Sequence, residues 1–296
     1  MPRRSARIDH PVLLASLLAD ASPASLARLA NVDAAAFAAI AEAEHVAPLA
    51  SEALRRLDAE NPHAREMRAV TARWVLREGA ERAAMQAFLD AAAGVPMIFF
   101  KGASTAHTAY PEPWLRMKED WDLLVEPAAR REAEDALFRA GFALDRSLKP
   151  GRVRMRQQSY RKDVSGGQCI VDLHTRVVNP PALAERIAFG DLLPHAVPLP
   201  SLHPAARGLD DGAALVLACV HRLAHHSTEP RLSWDYDVLL LTRRMTTAAM
   251  GDAASLARRW AAEGFVAAEV ARVCARFGAA VPAVIAPGLA ALAAAG

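Results

Sequence analysis

The sequence predicts an α+β fold in which a small mixed sheet lies between two helical regions. Residues 10–93 are rich in Ala, Leu, Arg and Glu, with apolar positions at helical spacing. Residues 94–204 instead contain short apolar runs separated by Gly and Pro, which is typical of strands and turns. Helical periodicity then returns from residue 210 and ends in an Ala-rich tail. We therefore predict an N-terminal helical region (1–93), a central core (94–204) and a C-terminal helical region (205–296).

The overall composition predicts a folded protein without a global nucleic-acid footprint. Of the 296 residues, 53% are hydrophobic, which is enough to fill a substantial core. Lys and Arg total 35 against 33 for Asp and Glu, so the net charge of +2 leaves any polyanion recognition to a local patch. The 3 dispersed cysteines show no paired metal spacing, and they indicate a reducing, cytoplasmic compartment.

The N-terminus superficially resembles a secretion signal, because several arginines precede the apolar run 12–19. That run is only 8 residues long, is bracketed by Asp9 and Asp20, and lacks a convincing cleavage site. An amphipathic first helix is therefore predicted. No uninterrupted apolar stretch reaches the roughly 18 to 20 residues that a membrane span needs, so we expect no membrane partner.

Proline and charged turns mark the first element boundaries. In the N-terminal region, Pro23 and Pro62 are expected to separate packed helices. The first strand is predicted over 95–100, where an apolar run ends at a Lys-Gly pair. A short helical stretch, 104–110, is interrupted by a Pro-Glu-Pro segment before the second predicted strand, 121–125.

The second half of the central core follows the same logic. A helix is predicted over 127–140, opened by proline and closed by Gly141. Residues 142–163 are polar and basic with partial alternation, and 169–174 is a further strand. The Pro-rich segment 180–204 is interpreted as a connector, part of which packs on the core.

Asp120 and Asp122 form an Asp-x-Asp pair at the second predicted strand. Residues two apart in a strand point to the same face, so the pair presents two carboxylates side by side. Like charges this close require a counter-cation, and Mg²⁺ suits carboxylates combined with substrate phosphates. Asp172 lies within the predicted strand 169–174, and a neighbouring strand would bring it beside the pair. Three carboxylates then predict a two-metal site for two Mg²⁺ or Mn²⁺ ions.

A phosphate-binding turn is predicted between the first strand and the helix that follows it. Gly102 permits a tight turn and close approach of phosphate, while Ser104 and the first helical amides can donate to phosphate oxygens. Lys101 and Arg116 add positive charge around the same group.

These segments together resemble the uncharacterised nucleotidyltransferases related to the DNA polymerase beta superfamily. The resemblance spans residues 95–245. It is carried by Phe100-Lys101-Gly102, by 115–125 with its Asp-x-Asp-Leu-Leu-Val, by Val171-Asp172-Leu173-His174, and more loosely by 219–241. The chain departs from the family pattern at Gly102-Ala103-Ser104, where Gly-Gly or Gly-Ser is usual.

The resemblance implies a polymerase beta-like nucleotidyltransferase fold that uses divalent metal ions and a nucleoside triphosphate such as ATP. It implies Asp120 and Asp122 as catalytic metal ligands and Asp172 as the third acid. The nucleotide-binding candidates are Lys101, Gly102, Ser104, Arg116 and His174. We expect an enzyme that transfers a nucleoside monophosphate to a hydroxyl of a small molecule, protein or RNA, releasing pyrophosphate. The alternative is a catalytically silent, nucleotide-binding regulatory protein with the same fold.

We expect His174 on the strand face opposite Asp172. Packing in the core and contact with the nucleotide are equally open for it. A second Asp-x-Asp pair, Asp235 and Asp237, lies in a helical pattern, where residues two apart diverge by about 200° and cannot share a metal. We interpret that pair as structural.

Two further patterns have competing interpretations. His221, His225 and His226 have helical spacing, but without a His-Glu-x-x-His motif a packing or capping role is favoured over zinc binding. The basic series at 152, 154 and 156 favours a charged edge strand over a guide for RNA or triphosphate.

Overall fold

The computed structural model describes residues 9–145, 157–178, 185–225 and 231–288. It confirms the α+β prediction: a mixed sheet is flanked by helices on both sides in sequence. The N-terminal region consists of α1 (His10–Ala19), α2 (Pro23–Ala27), α3 (Ala34–Ala43), α4 (Ala47–Leu57) and α5 (Pro62–Ala91).

The two prolines predicted as breaks stand at the starts of α2 and α5. Proline fits the first helical position because it has no amide hydrogen to leave unpaired and its φ is already helical. Each is preceded by a capping side chain: Ser22 accepts a hydrogen bond from the Ser25 amide, and Asn61 accepts one from the His63 amide. These caps satisfy amides that would otherwise be unpaired at the helix start.

The sheet follows the N-terminal helices and contains the predicted strands. Its strands are β1 (Met97–Phe99), β2 (Trp121–Val125), β3 (Ala143–Leu144), β4 (Gln157–Val164) and β5 (Gly167–His174). They lie in the order β1-β2-β5-β4-β3. β2 and β5 are parallel, and the other neighbours are antiparallel. β5 therefore lies between β2 and β4, with the distant strand β2 on one side and its hairpin partner β4 on the other.

Alternation along β2 and β5 separates an apolar face from a polar face. Trp121 and Leu123 of β2 and Val171 and Leu173 of β5 are almost completely buried and share a core with Phe88 of α5. Each fully buried large side chain stabilises the fold by roughly 1.5–3 kcal/mol. The residues between them, including the acids, point to the opposite face.

The connections carry α6 (Lys101–Thr108), a 3-10 turn (Pro113–Leu115), a second 3-10 turn (Pro127–Ala129) leading into α7 (Arg130–Arg139), and then α8 (Phe189–Leu192), β6 (Ala196–Pro198) and β7 (Arg207–Leu209). Gly141 follows α7 with φ of 84°, as expected for a helix-ending glycine. In the Pro-rich segment, Leu199 and Leu202 are buried in the same core as β2. Part of this connector therefore packs on the core, as predicted.

The C-terminal region is formed by α9 (Asp211–His225), α10 (Leu232–Arg244), α11 (Thr247–Arg259) and α12 (Glu263–Phe277). These helices share an apolar core with the N-terminal helices and with Phe100 and Leu124 on the polar side of the sheet. No helix among the described residues is long and apolar enough to cross a membrane. The division at residues 93 and 204 stays a prediction, as does a cytoplasmic location.

Candidate metal centre

Asp122 and Asp172 lie directly opposite each other on the parallel strands β2 and β5. The two residues are 3% and 9% exposed, and their side chains point to the polar face of the sheet. One ligand atom each from Asp122, Asp172 and His174 lies within 4.8 Å of the others. The strand register alone therefore assembles two carboxylates and an imidazole from positions about fifty residues apart.

The assignment of His174 to the opposite face from Asp172 was wrong. Residues two apart in a strand share a face, and His174 lies two residues after Asp172 in β5. Its Nε2 is 2.9 Å from Asp122 Oδ1, and its ring packs edge-on against Phe100 with centroids 5.0 Å apart. His174 is thus part of the acid cluster.

Asp172 is held in place by β4, the strand on its other side. The Ser159 hydroxyl donates to Asp172 Oδ1 over 2.5 Å, and Gln157 Nε2 donates to Oδ2 over 3.1 Å. Ser159 is the direct partner of Asp172 in the antiparallel register, which explains the short contact. Such outer contacts fix the orientation of a carboxylate before any ligand arrives.

Lys101 supplies the nearest positive charge to Asp122. Its Nζ donates to Asp122 Oδ1 over 2.5 Å. Although burial acts to raise it, the pKa of Asp122 lies well below its usual range because of the Lys101 ammonium and the hydrogen bond from His174. Asp122 is therefore ionised at neutral pH.

The tight turn predicted at Gly102 is made one residue earlier. Lys101 has φ of 53°, which a residue with a side chain adopts only at a cost of about 1–3 kcal/mol. Gly102 lies in α6, and a Cβ there would meet Arg116 Nη2 at 3.2 Å. The absence of a side chain at 102 thus accommodates the Arg116 guanidinium.

Asp120 precedes β2 and is half-buried at the same site. Burial and the charges of Asp122 and Asp172 raise its pKa to about 8, and the Lys101 ammonium opposes this rise. It is not one of the three residues whose ligand atoms cluster within 4.8 Å. At neutral pH Asp120 therefore favours its neutral form while no cation is bound.

Arg116 is paired internally. Its Nε and Nη2 donate to Asp237 over 2.7–2.9 Å, and its Nη1 donates to the Met117 carbonyl. The Tyr110 hydroxyl also donates to Asp237, over 2.7 Å. Asp235, two residues away, instead pairs with Arg272 and Arg276, so the second Asp-x-Asp pair is helical and has divergent partners.

Ser104 is not brought to the cluster. It is completely buried in α6, and its hydroxyl accepts a hydrogen bond of 2.9 Å from the Leu209 amide of β7. A Cβ at the neighbouring Gly208 would lie 2.5 Å from Ser104 Oγ. Ser104 therefore fastens α6 to β7.

A cavity of about 520 Å³ opens over the cluster. The candidates Lys101, Gly102, Arg116, Asp120, Asp122, Asp172 and His174 all line it. Other lining residues, which the sequence did not single out for this role, include His45, Gln157, Arg176, Ala218 and Arg231. Trp234, an aromatic residue able to stack on a base, also lines the cavity. The cavity thus lies between the sheet, the turn after α3, and the helices α9 and α10.

Two helix faces form one wall of this cavity. Ala218, His221 and Arg222 of α9 have the spacing i, i+3 and i+4, as do Trp234, Asp237 and Val238 of α10. This spacing places each set on one side of its helix. The periodicity was visible in the sequence, but no feature in it indicated what these faces would meet.

Two predicted patterns fall partly outside the described residues. The basic series at 152, 154 and 156 lies entirely outside them, as does His226. His221 lines the cavity, and it belongs to no three-residue metal cluster in the part of the chain that the structure describes.

The cluster has the donor set of a divalent cation site. Two buried carboxylates lie side by side, and the Lys101 ammonium is hydrogen-bonded to Asp122. Buried charge is costly unless it is paired. Carboxylate oxygen and imidazole nitrogen are both ordinary ligands of divalent ions. Asp122, Asp172 and His174 therefore fit the metal that the acid pattern predicts.

Residues 30–278 match the family described as uncharacterised nucleotidyltransferase. The chain belongs to this family. The match includes α3 to α12 and the whole sheet, so it is not confined to the acid motif. No curated protein matches the chain. Membership supports a transferase whose substrate is a nucleotide, and the buried cluster is compatible with metal binding.

Proposed function

We propose that the protein transfers a nucleoside monophosphate from a nucleoside triphosphate to a hydroxyl acceptor and releases pyrophosphate. The observation that carries this proposal is the pairing of Asp122 with Asp172 on adjacent parallel strands, beneath a cavity of about 520 Å³. That volume lies within the range of small-molecule sites. The acceptor is a small molecule, a protein or RNA.

The acids take different roles in this proposal. Asp120 and Asp122 bind two divalent ions, Mg²⁺ or Mn²⁺, and Asp172 binds the ion on the acceptor side. When bound, the ions make the acceptor hydroxyl more acidic and neutralise charge on the triphosphate. Asp172, oriented by Ser159 and Gln157, helps to remove the acceptor proton.

The triphosphate is placed at the start of α6. This helix has no side-chain cap at Phe100, so its first amides have no side-chain acceptor. Amides at a helix start and the local dipole favour a phosphate group. The Gly102 amide and the Lys101 ammonium are the proposed phosphate contacts, with Arg116 adding positive charge from beneath Gly102. We leave Ser104 out of this proposal, because its side chain is completely buried and does not line the cavity.

The chemical step then balances without a further reactant. The acceptor oxygen forms a bond to the α-phosphorus, and the bond between that phosphorus and the bridging oxygen of pyrophosphate breaks. The acceptor proton passes to Asp172. Pyrophosphate leaves from the side of α6.

Substitution of the paired acids tests this proposal. We expect Asp122→Asn or Asp120→Asn to reduce metal-dependent nucleotide transfer by at least about a hundredfold, because each removes a charge that binds an ion. The measurement is release of labelled pyrophosphate with each triphosphate, Mg²⁺ or Mn²⁺, and a screen of hydroxyl acceptors. Asp163→Asn, on an exposed position of β4, is the matched control and should retain full activity. Full activity in either site variant would sink the assignment.

A nucleotide-binding regulatory protein is the second candidate. It is favoured because both proposed phosphate-binding cations are already paired within the protein, Lys101 with Asp122 and Arg116 with Asp237. Calorimetric titration with Mg²⁺ and ATP separates the candidates. Binding without pyrophosphate release on any acceptor supports regulation, whereas turnover supports the enzyme.

A further inference from the structure

We infer that His174 is itself a metal ligand, so that the centre is a mixed Asp122–Asp172–His174 site selecting Mn²⁺ over Mg²⁺. The inference rests on the metal site of the proposed function, but it adds a ligand that the acid pattern does not name and it chooses between the two ions. In a site whose ligands are all carboxylates, His174 would contact Asp122 without binding the ion.

The geometry favours ligation by the imidazole. The ligand atoms of the three side chains lie within 4.8 Å of one another, and a divalent ion at about 2.1 Å from each donor accepts separations of up to about 4.2 Å. A small side-chain adjustment therefore closes the site. Asp172 and His174 share the same face of β5, and Asp122 is fixed opposite Asp172 by the backbone.

The ring already points its nitrogen towards this space. Nε2 lies 2.9 Å from Asp122 Oδ1, and the edge contact with Phe100 limits rotation of the ring. Without an ion, Nε2 carries the hydrogen that Asp122 accepts. In the tautomer with the hydrogen on Nδ1, the Nε2 lone pair would be directed to an ion in the same place. His174 is only 3% exposed, so bulk water does not compete for that lone pair.

The donor chemistry then selects the ion. Mg²⁺ is a hard ion bound through oxygen in near-ideal octahedral geometry. Imidazole nitrogen suits transition ions, while carboxylates suit both Mg²⁺ and Mn²⁺. Of these two ions, a set of two carboxylates and one imidazole therefore favours Mn²⁺. Mn²⁺ also leaves coordination positions for phosphate oxygens.

The direct test uses the metal-free full chain loaded with Mn²⁺ alone. Pulsed electron paramagnetic resonance detects a nitrogen nucleus bound to Mn²⁺ as ¹⁴N modulation of the echo. We expect ¹⁴N modulation in the wild-type protein and its replacement by a ¹⁵N pattern when only histidine is ¹⁵N-labelled. The labelled protein has an unchanged sequence, so this result does not depend on a variant folding. Bound Mn²⁺ without nitrogen modulation overturns the inference.

Ion selectivity gives a second measurement. Loss of the free Mn²⁺ signal on titration gives its Kd, and competition gives that of Mg²⁺. We expect His174→Asp, which makes the site all-oxygen, to reduce the preference for Mn²⁺ over Mg²⁺ by about tenfold or more. The control His203→Gln removes an ion pair with the exposed Asp90. It should leave both the nitrogen modulation and the preference for Mn²⁺ over Mg²⁺ unchanged. An unchanged preference in His174→Asp contradicts the inference.

The outcome is separable from that of the proposed function. Nitrogen modulation that is lost in His174→Asp, without pyrophosphate release on any acceptor, leaves His174 as a ligand and removes the transferase proposal. Pyrophosphate release without nitrogen modulation keeps the transferase and removes the ligand assignment.

Discussion

At the scale of single residues, the acid cluster makes stability depend on pH. The pKa of Asp120 is raised to about 8 by burial and by the charges of Asp122 and Asp172, from an ordinary value of 3.8. Between these two values the folded chain binds a proton that the unfolded chain has released. The stabilisation linked to this proton is complete below about pH 4 and is lost as the pH rises towards 8.

We predict that Asp120→Asn raises the melting temperature of the metal-free protein at pH 8.5, because Asn carries no charge beside the two acids. The difference in melting temperature between Asp120→Asn and the wild-type protein should decrease steadily as the pH falls towards 4. Thermal unfolding in the presence of a chelator, followed by circular dichroism across this range, measures it. Asp163→Asn should show no such trend, and a pH-independent difference for Asp120→Asn would contradict the electrostatic explanation.

At the scale of elements, one buried ion pair joins the segment before β2 to α10. Arg116 and Asp237 are both nearly inaccessible to water, and Tyr110 completes the pairing. The pair therefore sets the position of the backbone that leads into Asp120 and Asp122. Removing one partner of a buried pair leaves the other charge without compensation, which costs about 3–5 kcal/mol.

We therefore predict that Asp237→Asn lowers the free energy of unfolding by about 3 kcal/mol. Urea denaturation followed by tryptophan fluorescence measures the change. Glu60→Gln, which breaks an exposed pair with Arg65, is the matched control and should leave the midpoint unchanged within error. A similarly small effect for Asp237→Asn would mean that Arg116 finds another partner or solvent.

The positions of the strands around the site were more predictable from the sequence than the register and side-chain contacts between them. Short apolar runs and Gly or Pro boundaries located β1, β2 and β5, because a buried strand is built mainly from apolar residues. Local sequence carries no such signal for the register that places Asp172 opposite Asp122. Nor did it indicate that Asp237, read as structural, would hold Arg116. Ser104 was chosen for its hydroxyl chemistry, but the fold uses that hydroxyl for Leu209.

At the scale of the whole molecule, the cavity is shared by regions distant in sequence. His45 approaches from the N-terminal helices, the acids from the sheet, and Trp234 from α10. The ion pairs of Glu119 with His45, at 3.3 Å, and with Arg231, at 3.2 Å, join the same regions at the rim. A ligand that fills this space would contact them all.

We predict that Mn²⁺ together with a nucleoside triphosphate raises the melting temperature more than either does alone. A ligand present at a hundred times its Kd adds about 2.7 kcal/mol to stability when it binds only the folded chain. Differential scanning fluorimetry measures the shift. Asp122→Asn should lose the combined effect, and an equal shift in that variant would place the nucleotide elsewhere.

The parallel pairing of β2 and β5 has a consequence for how the protein matures. Side chains alternate along a strand, so sliding β5 by a single position would turn its acid and histidine into the core and expose its valine and leucine. That arrangement is unfavourable, because it would bury charged groups and expose apolar side chains. The proposed ligands thus lie together only in a chain whose sheet has closed in this register, so metal binding would report the completion of folding.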